Sequence, residues 1–168
     1  MILSDRDIVN LISNKRIKII PYPQEECIQP CSVDLHLGGE LKTIRGKTID
    51  IMHDTYKLKP QEFVLGSTEE YVEIPADICG QIEGKSSVAR LGLMVHITAG
   101  YIDAGYNGNI TLELFNASDK EFELESGLSI CQLIFHALSS ECVRPYGTDG
   151  LGNHYQHSDG TVLSRMER

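Results

Sequence analysis

Short runs of β-forming residues, separated by turn formers, repeat along almost the whole of this 168-residue chain. The runs are rich in Val, Ile, Thr, Tyr and Phe, and the residues between them are mostly Gly, Pro, Asn and Asp, which is typical of short strands joined by turns. Within residues 32–37, Val33, Leu35 and Leu37 alternate with polar residues, as in a strand with one apolar face. The runs that predict strands are 17–20, 32–37, 62–67, 71–74, 93–99, 109–115, 121–125 and 129–138.

Two segments interrupt the strand pattern and predict short helices. Ser4 and Asp7 have the spacing of a capping box and precede an apolar face, which predicts a helix over residues 4–14. Residues 86–92, SSVARLG, predict one or two helical turns. We therefore expect a mainly β fold, a barrel or a sandwich, with a short N-terminal helix and a short internal helix.

The length of the chain is that of one domain, and no repeat or linker divides it. We expect residues 1–168 to form a single domain, of which residues 146–168 are a C-terminal tail. This tail is rich in Gly, Asp, Ser and His, so we expect it to be either disordered or ordered only against a ligand or a neighbouring subunit.

The net charge of −9 disfavours a nucleic-acid polymer as partner, although it leaves room for a local basic pocket that binds a small anion. No stretch approaches the roughly 18 consecutive apolar residues of a membrane span, and the N-terminus does not resemble a signal peptide. We expect a cytoplasmic protein that does not bind membranes. Its five cysteines are odd in number and scattered, which favours reduced thiols.

The segment Gly84-Lys85-Ser86-Ser87 could bind an anion. Glycine permits close approach of the backbone, lysine adds positive charge, and the hydroxyls add donors at the start of the internal helix. Arg90 lies about one turn further, on the same side as the serines. The alternative is an ordinary helix cap with a solvated lysine.

Residues 98–108, TAGYIDAGYNG, predict a glycine-rich hairpin with a tight turn at Asn107-Gly108. Its backbone groups could contact the edge of a flat base, with Asp103 on a sugar hydroxyl and Tyr106 packed on the ring. Alternatively, Asp103 only caps the turn and Tyr106 only covers the core.

Glu113 shares a strand face with Thr111 and Phe115. If Arg90 and the serines line the same face, this carboxylate lies in a pocket and is suited to proton transfer. Otherwise it belongs to an exposed face or an ion pair.

A zinc deaminase requires His-x-Glu and a later Pro-Cys-x-x-Cys. Here Pro30-Cys31 is followed by Ser32 and Val33, and the six histidines are dispersed. We predict no zinc site.

Four segments together resemble the dCTP deaminase family, whose fold is shared with trimeric dUTPases. They are QPCSVDLHLG (29–38), EGKSSVARLGLMVHITAGYIDAGYNGNITLELFN (83–116), ICQLIF (130–135) and RPYG…HYQHSDGTVLSR (144–165). The resemblance implies a distorted β-barrel of the dUTPase-like type that forms a homotrimer with active sites between subunits. It also implies that the tail, residues 146–168, closes over the bound nucleotide.

The resemblance implies zinc-independent hydrolysis of the 4-amino group of dCTP, with Glu113 as the general base. Ser86 and Arg90 match the residues that position the attacking water, and Asp103 matches the residue that binds the deoxyribose 3′-hydroxyl. Further substrate contacts are implied for Lys85, Ser87 and Tyr146 on the triphosphate, for Ile97, Thr98 and Ala99 on the base, and for Tyr106, Gln132, His154, Tyr155 and Ser158. The triphosphate is expected to bring a Mg²⁺ ion.

Two departures from the family pattern stand out. His154 stands where family members commonly have a tail lysine that contacts phosphate, which implies a weaker or pH-dependent grip on the nucleotide. The hairpin with Gly100 resembles dUTPases and the bifunctional subgroup, in which dUTP is cleaved further to dUMP and pyrophosphate. The open alternatives are a dUTP pyrophosphatase without deaminase activity and a non-catalytic nucleotide-binding module.

Overall fold

The structure is a computed structural model, which describes residues 1–166. The helices are α1 (Asp5–Ser13) and α2 (Ser86–Ala89), and a 3₁₀ turn spans Glu25–Cys27. The strands are β1 (Lys18–Ile20), β2 (Ile28–Gln29), β3 (Ser32–His36), β4 (Glu40–Lys42), β5 (Thr48–Asp50), β6 (Tyr56–Leu58), β7 (Phe63–Glu73), β8 (Ile78–Gly84), β9 (Leu93–Met94), β10 (Tyr101–Ile102), β11 (Asn107–Asn116), β12 (Phe122–Leu124) and β13 (Ser129–Ala137).

Helix α1 begins at the capping box that the sequence predicts. The Ser4 hydroxyl donates a hydrogen bond to the Asp7 carboxylate at 3.0 Å and accepts one from the Asp7 backbone N–H at 3.4 Å. The helix ends in a Schellman motif, because the N–H of Lys15 donates to the Ile12 carbonyl and the N–H of Arg16 to the Leu11 carbonyl. Both ends of this helix are thus determined by local hydrogen bonds.

The strands form two antiparallel sheets. The order in one is β5-β4-β7-β11-β9, with β1 also paired to β7, and the order in the other is β10-β8-β13-β3-β2. Strands β6 and β12 pair separately. The predicted mainly β fold is confirmed, although the strands lie in separate sheets and not in one closed barrel.

The apolar core contains buried side chains from both sheets, such as Leu35 and Leu133 from one and Leu112 and Leu114 from the other. Gly66 of β7 lies where the two sheets approach each other. A Cβ atom there would lie 2.9 Å from Cδ1 of Leu37, so a larger residue would push this leucine out of place.

Two sequence predictions about the glycine-rich region are wrong. The strand predicted over 93–99 ends at Met94, because the chain then leaves the sheet. The predicted tight turn at Asn107-Gly108 is instead the start of β11, where Gly108 pairs with Val72. The turn lies at Ala104-Gly105, and Gly105 has the positive φ of 89° that such a turn favours.

Residues 146–166 of the tail pack on their own chain, which corrects the expectation that the tail is disordered or ordered only by a ligand or another subunit; residues 167 and 168 of the predicted tail lie outside the described residues. Ser158 forms a parallel bridge with Gly108, and Thr161 is buried with its hydroxyl donating to the Glu40 carbonyl at 2.9 Å. Among residues 1–166, no helix has the length and apolar character needed to cross a membrane.

Candidate active site

A cavity of about 520 Å³ lies between β11, the segment 99–106 and the C-terminal tail. Seven of the residues predicted to act in the site line this cavity, namely Ala99, Asp103, Tyr106, Glu113, Tyr146, Tyr155 and Ser158. The central and C-terminal segments of the sequence therefore meet around one hollow that contains the predicted base.

Glu113 is half-buried in the wall of the cavity, on the face of β11 opposite to the apolar core. Its Oε2 atom accepts a hydrogen bond from the backbone N–H of Ile97 at 2.9 Å. Within residues 1–166, its Oε1 atom has no hydrogen-bond partner. One carboxylate oxygen is thus fixed while the other remains available to a water molecule or a substrate.

The loop that holds Glu113 is fixed by its own backbone. The N–H of Glu113 donates to the carbonyl of Val95 at 3.0 Å, and the N–H of Ile82 donates to the carbonyl of Gly100 at 2.6 Å. Gly100 is buried so tightly that a Cβ atom would lie 2.8 Å from the Ile82 carbonyl oxygen. The absence of a side chain at Gly100 lets this loop lie against β8 and bring the Ile97 N–H to Glu113.

Two tyrosines form the aromatic wall of the cavity. The rings of Tyr106 and Tyr146 meet edge to face with centroids 5.6 Å apart, and the Tyr106 hydroxyl donates to the Asn109 carbonyl at 2.7 Å. Burial raises the pKa of Tyr106 to about 12. Tyr106 is therefore neutral near neutral pH. Asp103 also lines the cavity, where its side chain is exposed and provides a carboxylate.

Lys85 and Gln132, both predicted to contact substrate, meet at a buried carboxylate that the sequence analysis missed. The Lys85 ammonium and the Gln132 amide donate to opposite oxygens of Asp34, the latter at 3.2 Å. Lys85 also donates to the Ser129 hydroxyl at 2.8 Å. The alternation along β3 indicates that Asp34 lies on the polar face of the strand. It does not indicate that Lys85 and Gln132 are its hydrogen-bond partners.

The structure does not bring the remaining predicted residues to the cavity. Ser86, Ser87 and Arg90 are exposed on and just after α2, and their side chains make no hydrogen bond or ion pair within the described part of the chain. Thr98 and His154 are exposed as well. Conversely, Thr111 and the tail residues Val162 and Leu163 line the cavity but were not predicted, although Thr111 shares a strand face with Glu113.

No group of three or more His, Cys, Asp or Glu side chains in the described residues is arranged to hold a metal ion. Carboxylates, phosphate oxygens and water molecules are the ligands that Mg²⁺ commonly takes in proteins.

The fold is dUTPase-like, as the similarity of the chain to solved structures shows. The chain is similar to the structure of 2′-deoxycytidine 5′-triphosphate deaminase from Agrobacterium tumefaciens, with a TM-score of 0.70 and 21% identity over 80% of this chain and 48% of that longer chain. It is also similar to the dUTPase of Staphylococcus bacteriophage 80alpha, with a TM-score of 0.55 and 18% identity over 76% of this chain and 94% of that chain. The similar dUTPase of phage phi11 of S. aureus coordinates a structural Mg(II) ion (TM-score 0.55, 17% identity, 76% and 94% coverage).

The family model for dCTP deaminase-like proteins matches residues 2–138, and the chain belongs to this family. Relatives described as "dCTP deaminase, dUMP-forming" match nearly the whole chain. The relative from Methanosphaera stadtmanae is 37% identical over 99% of this chain and 94% of its own length. The relative from Parafrankia sp. is 40% identical over 100% of this chain and 92% of its own length. The relative from Mycobacterium ulcerans is 41% identical over 98% of this chain and 95% of its own length.

Proposed function

We propose that this protein is a cytoplasmic enzyme that hydrolyses dCTP to dUTP and ammonia and then cleaves dUTP to dUMP and pyrophosphate in the same site. The observation that carries the proposal is the carboxylate of Glu113. It faces a cavity of nucleotide size, one oxygen is held by the Ile97 N–H, and the other is free to take a proton. The dUMP-forming relatives, which align over nearly the whole chain, support the second step.

In the deamination, Glu113 removes a proton from a water molecule as the water oxygen bonds to C4 of cytosine. The carboxyl group then gives this proton to N3, which produces a neutral tetrahedral intermediate. A second proton passes from the new hydroxyl group to the amino nitrogen, the C4–N bond breaks, and ammonia leaves as the C4 carbonyl forms. One carboxylate beside both the water and N3 can serve in each transfer.

The nucleotide is bound from both sides of the cavity. Asp103 binds the 3′-hydroxyl, Tyr106 packs on the deoxyribose and base, and the backbone of Ile97, Thr98 and Ala99 contacts the base edge. The aromatic wall and the exposed carboxylate of Asp103 at the same cavity support this orientation.

Lys85, Ser87 and Tyr146 contact the triphosphate, and Gln132 contacts the substrate beside Lys85. The convergence of Lys85 and Gln132 on Asp34 supports this part of the proposal, because two donors predicted from distant segments lie side by side. A Mg²⁺ ion bound through the triphosphate would neutralise part of the phosphate charge. The tail, residues 146–168, closes over the nucleotide with His154, Tyr155 and Ser158.

The enzyme is a homotrimer with active sites between subunits. Ser86 and Arg90 are exposed on the α2 side of the chain and do not line the cavity that contains Glu113. A second copy that placed its α2 against this cavity would add a hydroxyl and a guanidinium to the water and to the charge that develops at C4. This placement explains why these polar side chains have no partners within the described part of one chain.

Product analysis tests the proposal. The purified protein is incubated separately with dCTP and with dUTP, each with Mg²⁺, and the nucleotides, ammonia and pyrophosphate are quantified. We expect dUMP and pyrophosphate from both substrates and ammonia from dCTP alone. Accumulation of dUTP would remove the second step, dUMP from dUTP alone would indicate a dUTP pyrophosphatase, and no turnover of either would contradict the proposal.

A further inference from the structure

Asn109 lies at an irregularity in the pairing of β11 with β7. The register between these strands shifts between Asn109 and Thr111, which leaves backbone carbonyls of β7 outside the regular ladder. The Asn109 side-chain amide donates to two of these carbonyls, that of Thr68 at 3.0 Å and that of Glu69 at 3.2 Å. The amide nitrogen of Asn109 is therefore committed to the strand beside it.

The other polar atoms of Asn109 bind the tail. Its backbone N–H donates to the Ser158 carbonyl at 2.9 Å, and its Oδ1 atom accepts from the backbone N–H of Gly160 at 3.1 Å. Its own carbonyl accepts from the Tyr106 hydroxyl at 2.7 Å. One residue thus joins the β7–β11 irregularity to tail residues 158–160 and to a tyrosine of the cavity wall.

The tail segment that Asn109 holds is the one that reaches the cavity. Ser158 is 3% exposed, lines the cavity, and donates from its hydroxyl to the carbonyl of Tyr155 at 2.7 Å. Tyr155 and Val162 line the cavity on either side of the held segment. A shift of residues 158–160 would therefore move the tail side of the cavity that contains Glu113.

We propose that Asn109 is a positioning residue that holds tail residues 158–160 in the closed position before any nucleotide binds. Its effect on catalysis rests on the proposed function, whereas its effect on the tail does not. Both polar atoms of the Asn109 side chain, Nδ2 and Oδ1, have specific hydrogen-bond partners. The residue therefore holds its surroundings through a donor and an acceptor together. A carboxylate of the same shape would lack the donor and would place a negative oxygen against two carbonyl oxygens.

Asn107 provides a matched control two residues earlier in β11. Its Oδ1 atom accepts from the Tyr71 hydroxyl and from Nδ1 of His157, the latter at 3.0 Å. A carboxylate keeps this accepting role. The substitutions Asn107→Asp and Asn109→Asp therefore add the same charge on the same strand next to the tail, but only the second removes a donor that the structure uses.

The test is hydrogen–deuterium exchange of the full-length protein without nucleotide, followed in peptides that cover residues 155–164. In the wild type, the amides of His157 and Gly160 are hydrogen bonded to Asn107 and Asn109 and should exchange slowly. We expect Asn109→Asp to speed exchange in these peptides about tenfold, because repulsion from the Thr68 and Glu69 carbonyls displaces the side chain whose Oδ1 atom accepts from the Gly160 N–H. Asn107→Asp should leave the rate within about twofold of the wild type.

Equal tail exchange in Asn109→Asp and the wild type would overturn the proposal, as would equal acceleration by both aspartates. If Asn109→Asp also speeds exchange in β7 and β11, Asn109→Ala is used, and unchanged tail exchange in that variant would again overturn it. In kinetics, Asn109→Asp should raise KM for dCTP more than it lowers kcat, because saturating nucleotide restores the closed tail. Exchange requires no turnover, so failure of the proposed function and failure of this inference are distinguishable.

Discussion

The backbone N–H of Ile97 donates a hydrogen bond of 2.9 Å to the carboxylate of Glu113. This contact joins a strand residue to a loop that is 16 residues away in sequence. It fixes one oxygen of the carboxylate and makes the position of the predicted base depend on the conformation of the loop.

Gly100→Ala should therefore impair catalysis through the position of Glu113, although residue 100 itself does not take part in the reaction. The new Cβ atom would lie 2.8 Å from the Ile82 carbonyl oxygen and 3.0 Å from Cε1 of the His96 ring, both closer than van der Waals contact, so the loop must shift. We expect kcat for dCTP deamination to fall by about tenfold or more, because misplacement by even 1 Å can be that costly. Steady-state kinetics, with the melting temperature as a control for folding, measure this; unchanged kcat would show that the loop does not position Glu113.

Asp34→Asn should weaken the binding of the triphosphate. The substitution removes the negative charge that holds the Lys85 ammonium in place, and the asparagine oxygen that remains is a weaker acceptor for it. We expect KM for dCTP to rise by about tenfold while kcat changes little. In the double variant with Lys85→Met, Asp34→Asn should add little, because its effect passes through Lys85. Additive effects of the two substitutions would refute this coupling.

Lys15→Gly should stabilise the protein. Lys15 follows the C-terminus of α1 with φ of 59°, a left-handed conformation that costs a residue with a side chain about 1–2 kcal/mol. Glycine removes this cost but adds freedom to the unfolded chain, so the net gain in free energy of unfolding should be about 0.5–1 kcal/mol. Urea denaturation measures it. Lys47→Gly, at an exposed lysine without positive φ, should give no gain, and an equal gain there would contradict the explanation.

Tyr106→Phe should reduce the loss of stability at alkaline pH. Burial raises the pKa of Tyr106 from about 10 in the unfolded chain to about 12, so its neutral form favours folding. This contribution is complete below pH 10 and is lost as the pH rises through 12, and it amounts to at most about 3 kcal/mol. The free energy of unfolding should therefore fall less steeply between pH 10 and 12 in Tyr106→Phe. Some decline should remain, because the hydrogen bond to Glu62 raises the pKa of Tyr56 to about 12 as well. Identical slopes would contradict the assignment.

Local patterns predicted the elements whose structure is determined locally. The capping box at Ser4 and Asp7 predicted α1 to within about a residue, because its partners are three residues apart. The alternation along β11 predicted that Glu113 shares a strand face with Thr111 and Phe115, and in the structure these three residues lie on the face opposite to the apolar core, since a strand has a period of two.

Contacts between distant segments explain the predictions that failed. Asn107-Gly108 is a common turn signal, but pairing with β7 extends both residues and overrides it. The role of Asp34 depends on Lys85, 51 residues away, and a strand pattern contains no information about that partner. The tail is polar enough to be disordered alone, yet it is held by side chains of β11 that sequence did not associate with it.

The most direct test of the central claim compares ammonia release from dCTP by the wild type, Glu113→Gln and Glu69→Gln. Glutamine keeps the acceptor for the Ile97 N–H but cannot remove a proton, whereas Glu69 is an exposed residue of β7 outside the cavity lining. We expect Glu113→Gln to slow ammonia release by a factor on the order of 100 to 10,000 while the Kd for dCTP, measured by calorimetry, stays within about threefold, and Glu69→Gln to match the wild type. Ammonia release by Glu113→Gln at the wild-type rate would contradict the account.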